Sequence, residues 1–122
     1  MKEIRTITLK SLSLAIVIMG VIHIAATFTP VIFGKLELVA ESARQAFVYM
    51  SLMCGALLVS GGTTLFLLID KVKEIPFLHR PIIITETILI VDGILAVCMM
   101  PANPCAWILL LLTLPFICNK PW

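Results

Sequence analysis

Residues 81–100 read PIIITETILIVDGILAVCMM, and the fold turns on how they are understood. The stretch is apolar enough to enter a lipid bilayer, yet it carries Glu86 and Asp92. An ionisable side chain in hydrocarbon is costly, so it is expected to turn towards protein. Wound at about 100° per residue, Ile82, Glu86, Leu89, Asp92, Gly93 and Ala96 share an arc of roughly 120°. Ile83, Ile84, Ile88, Val91, Ile94 and Leu95 fall on the opposite side. One face thus holds both acids and the small residues, and the other suits acyl chains.

Composition extends this reading to the whole chain. Of 122 residues, 61% are hydrophobic and 13% charged, where soluble domains carry about a quarter charged residues. The apolar residues come in long runs that a soluble core does not need. The expectation is an all-α, polytopic integral membrane protein with one membrane domain over residues 1–122. A net charge of +2, few aromatics and no basic stripe point away from nucleic acid. The four cysteines, Cys54, Cys98, Cys105 and Cys118, form no CxxC pair and no zinc-like spacing. They read as small apolar residues, with a Cys98–Cys105 disulfide open if their side is oxidising.

Four spans are expected, at about 11–32, 47–69, 81–100 and 104–119. The first follows a short basic start, as in a secretory signal. Its apolar run is longer than the usual apolar core of about 7–15 residues, so it is read as a retained span. Within it Ser13, Gly20 and Thr27 recur every seven residues, with His23 on the same stripe, and small residues so spaced let a second helix approach. Pro30 denies a hydrogen bond to the Ala26 carbonyl near its end. The connection 33–46 reads as a short surface helix, opposed by the like charges of Glu37 and Glu41. Ser51, Gly55 and Gly62 mark a packing face on the second span. Asn103 and Pro104 form a cap and first turn for the fourth span, which is short. Trp107 and Trp122 suit the two interfaces.

Basic residues set the expected orientation. Lys2, Arg5, Lys10, Lys71, Lys73, Arg80 and Lys120 flank one side, against Lys35 and Arg44 on the other. The positive-inside bias puts both termini in the cytoplasm, with the bundle in the cell's inner or plasma membrane. His23 and Asp92 then lie at similar depth, with Glu86 nearer the cytoplasm. An imidazole and two acids at staggered depths suit proton or cation handling. Thr27, Thr85 and Arg44 are the supporting polar candidates. No nucleophile–base pair or metal motif stands out, so no catalytic or metal residue is assigned and no cofactor is named.

Three functions fit these features. The first is a small proton- or cation-handling transporter or channel-like protein using His23, Glu86 and Asp92. Four helices enclose little room, so this reading calls for a homo-oligomer or a larger membrane complex. The second is a non-catalytic membrane subunit or interaction protein. The third is a membrane-embedded enzyme acting on a lipid or quinone, whose mark would be a lateral polar cavity ringed by His23, Asp92 and Arg44. The small multidrug transporters resemble the chain in having four short spans, but no residue carries over from them.

Overall fold

The computed structural model describes residues 2–118, all of whose regular structure is helical. It contains α1 (Lys2–Thr27), α2 (Pro30–Leu36), α3 (Glu41–Lys71), α4 (His79–Met99) and α5 (Pro104–Cys118). A 3-10 turn, Pro76–Leu78, leads into α4. Residue 119, Lys120 and Trp122, used above, lie outside the described residues.

Helices α1, α3, α4 and α5 form a ring in which each packs on the next and α5 returns to α1. Neighbours run antiparallel: α1 and α3 meet through Lys10 and Asp70 at one end and Thr27 and Ser51 at the other. Buried positions recur every three or four residues on all four. They include Leu9, Ser13, Ile16 and Gly20 on α1, and Leu58, Gly62, Leu65 and Ile69 on α3. Ile82, Glu86, Leu89 and Gly93 continue the pattern on α4, with Ala106, Leu109, Thr113 and Phe116 on α5. That spacing is the seam of helices crossing at a shallow angle.

Glycines make the α1–α3 seam tight. A Cβ built on Gly20 would sit 2.9 Å from the Gly55 carbonyl oxygen, and one on Gly62 2.9 Å from the Ser13 carbonyl oxygen. Backbone therefore faces backbone, which only residues without a side chain permit.

Three helices are long and apolar enough to cross a membrane, and α5 is a shorter apolar one. Only 22–33% of their apolar windows is buried within the chain. Large side chains such as Ile18, Met53, Ile84 and Leu111 point outward. Water is a poor solvent for so much contiguous apolar surface.

Several helix ends differ from the sequence expectation. The first apolar run is not one continuous helix to Ile32: α1 stops at Thr27 and Pro30 opens α2. The Thr29 amide and hydroxyl both donate to the Ala26 carbonyl, at 3.0 and 2.7 Å, filling the place that Pro30 leaves vacant. Helix α3 starts at Glu41 rather than near Phe47 and extends about 46 Å. The like charges of Glu37 and Glu41 do not oppose it, because Glu37 caps α2 and Glu41 begins α3. Helix α5 starts as the sequence implies: Pro104 is its first residue, and the Cys105 amide donates to Asn103 Oδ1 at 3.0 Å.

Candidate functional site

The seven-residue period of α1 puts His23 on the stripe of Leu9 and Ile16, facing α3, with Thr27 one turn on. Because α3 runs the other way, Ser51 arrives at the same level. Ser51 Oγ lies 2.7 Å from Thr27 Oγ1 and 3.2 Å from His23 Nε2. Thr27 Oγ1 also donates to its own helix, at the His23 carbonyl, at 3.0 Å.

Proton counting links the donors along this chain of contacts. Each hydroxyl carries one hydrogen. If Thr27 gives its hydrogen to the His23 carbonyl, Ser51 gives its own to Thr27. The bond between Ser51 and His23 then needs Nε2–H as donor. In that arrangement the lone pair of a neutral imidazole is on Nδ1.

One turn along α3 from Ser51, the half-buried Cys54 thiol donates to Asp92 Oδ2 on α4 at 3.8 Å, a weak sulfur hydrogen bond. Three helices thus deliver exchangeable groups to one level of the bundle: His23 and Thr27 from α1, Ser51 and Cys54 from α3, Asp92 from α4.

The other candidates lie elsewhere. Glu86 shares the inward face of α4 and is 4% exposed, but it sits about 9 Å along the axis from Asp92. Half-buried Thr85 donates to the Pro81 carbonyl at 2.8 Å. It lines a lateral groove of about 140 Å³ between α3 and α4, beside Ser60, Gly61 and Thr64. The Arg44 guanidinium lies 5.8 Å from the centre of the Phe33 ring, on a separate groove whose lining includes neither His23 nor Asp92. Neither groove is lined by His23 or Asp92.

Ser51 and Cys54 were missed as site residues. From sequence, Ser51 reads as a packing position and Cys54 as a small apolar residue. Sequence carried no signal for this pairing, because it depends on how far α3 slides along α1: Ser51 is ten residues into α3, yet it meets the last residue of α1. Cys98 and Cys105 are exposed free thiols. Among the described residues, no group of three or more His, Cys, Asp or Glu side chains is arranged to hold a metal ion.

Ser51→Ala removes both interhelical bonds at once. Such bonds average about 0.6 kcal/mol each between helices in lipid. The expected loss is about 1 kcal/mol, read as a lower midpoint in unfolding by a denaturing detergent. An unchanged midpoint would mean that the cluster does not tie α1 to α3.

Searched against known proteins, the chain matches no family model, no curated protein and no solved structure.

Proposed function

We propose that this chain is a four-span integral membrane protein with both termini cytoplasmic, and that its bundle exchanges a proton or small cation through His23 and Asp92. The long apolar helices α1, α3 and α4 are the first three spans. Helix α5 covers only about 22 Å against a hydrocarbon core of about 30 Å, so it needs a locally thin bilayer or adjoining residues. Lys10, Lys71, Lys73 and Arg80 share one end of the bundle. There Lys10 pairs with Asp70 and Lys73 donates to Thr6. That is the cytoplasmic end by the positive-inside bias, and the membrane is the cell's inner or plasma membrane.

The observation that carries the function is the convergence of His23, Ser51, Cys54 and Asp92 at one level. His23 stands about 20 Å along α1 from Lys10, and Asp92 about 20 Å along α4 from His79. Glu86 lies between that level and the cytoplasmic end, so the acids are staggered along the bundle axis. A proton taken at His23 Nδ1 passes to Asp92 and then towards Glu86 as side chains and water rearrange. A pathway through so small a bundle is completed by a second copy or a larger membrane complex.

The test is proton flux into liposomes carrying an internal pH-sensitive dye. Asp92→Asn and His23→Gln are expected to keep the chain helical and monodisperse while flux falls to the leak of protein-free vesicles. Wild-type rates in both variants would reject the reading.

The tight Gly20–Gly55 seam beside the cluster supports a second reading. There the polar contacts set helix register and the chain is a non-catalytic membrane subunit. A stoichiometric partner retained in mild detergent, with no flux from the pure chain, would favour it.

A further inference from the structure

We infer that the groove between the α1–α2 elbow and the start of α3 binds one glycerophospholipid, its phosphodiester on Arg44 and an acyl chain between Phe28 and Leu52. The inference rests on the membrane-spanning reading and not on the proton site.

The groove has a volume of about 440 Å³. Phe28 follows the end of α1, Phe33 is on α2, and Arg44, Gln45, Val48, Tyr49 and Leu52 come from the first four turns of α3. It exists because α1 ends at Thr27 and the chain turns away at Pro30. From Arg44 to Leu52 the wall runs about 12 Å. Along it the groups change from guanidinium, through the Tyr49 phenol, to Leu52 and Phe28. That is the order of polarity in a phospholipid, from phosphate to acyl chain, and it runs from the bundle's end inward as a bilayer does.

Arg44 supplies the charge complementarity. Its guanidinium rests over the Phe33 ring, which limits the entropy lost on binding. Among the described residues it makes no ion pair, so its forked donors are available for a bidentate phosphodiester. Glu37 and Glu41 lie nearby in sequence and are exposed, which disfavours a multiply charged headgroup. The phosphodiester, rather than a large net charge, is then the recognised element.

The experiment titrates delipidated protein in mild detergent with dioleoylphosphatidylglycerol and counts adducts by native mass spectrometry. One lipid per chain is expected at saturation. Arg44→Gln should raise the half-saturating lipid concentration about tenfold, the scale of one charge-assisted hydrogen bond. Arg80→Gln, at the other end of the bundle, should leave it unchanged. Dioleoylglycerol, with the same chains and no phosphate, should bind wild type more weakly and be indifferent to Arg44→Gln. Equal saturation of wild type and Arg44→Gln, or an equal shift from Arg80→Gln, would overturn the inference. A chain that stays monodisperse in buffer without detergent would instead overturn the membrane reading on which it rests.

Discussion

Gly62→Leu is expected to disrupt the bundle. A Cβ at position 62 meets the Ser13 carbonyl oxygen at 2.9 Å, the Val17 amide nitrogen at 3.1 Å and Val17 Cγ2 at 2.8 Å. Two of those atoms are backbone, so no rotamer change relieves the clash. The helices must separate, and contacts of Leu9, Ile16, Leu58 and Leu65 loosen with them. Overpacking typically costs about 1–3 kcal/mol and more where the surroundings cannot yield. This seam should reach the upper end, about 3 kcal/mol. The matched control is Gly34→Leu, since a Cβ at 34 meets nothing within 4 Å. Size-exclusion profiles and thermal midpoints in detergent separate the two. Gly62→Leu should lose its monodisperse peak while Gly34→Leu keeps it. A parental profile for Gly62→Leu would mean that α1 and α3 do not touch through backbone.

The second large effect comes from adding an acid two residues beyond Glu86. Glu86 is tolerated on the inward face of α4, at 4% exposure. Ile88, at 45% exposure, sits at the outer edge of the lateral groove between α3 and α4. With hydrocarbon outside, Ile88→Asp places a carboxylate among acyl chains about 14 Å along α4 from His79. Aspartate at the centre of a span costs about 2.5–3.5 kcal/mol on insertion scales, so insertion of α4 should fall about a hundredfold. With water outside, the same exposed substitution would change stability by no more than about 0.5 kcal/mol. Alkaline extraction of membranes and a glycosylation-mapping assay read the difference. Recovery of Ile88→Asp in the membrane fraction at the parental level would count against a lipid-facing side of α4. Glu86→Ile, which removes an acid from the interior, should insert at least as well as the parent.

The inward arc of α4 was legible because amphipathic periodicity is local. Ile82, Glu86, Leu89 and Gly93 are the buried positions of that helix, as their spacing required. The Asn103–Pro104 start of α5 was legible for the same reason, since a cap is a contact between near neighbours in the chain. The limit of α1 was only partly so. Pro30 announced a break, but whether the helix bends or stops depends on what satisfies the Ala26 carbonyl. Thr29 does so with both its amide and its hydroxyl.

Sequence alone determined that the chain is helical, that its apolar runs are long, and which side of α4 carries its acids. Those properties follow from side-chain polarity repeating at the pitch of one helix. Only the tertiary structure decided that Ser51 joins Thr27 and His23, that Cys54 meets Asp92, and that Glu86, Thr85 and Arg44 stand apart. Such pairings depend on how far each helix slides along its neighbour. That register is set where Gly20, Gly55 and Gly62 let two backbones touch, a contact between residues distant in the chain that no local pattern encodes.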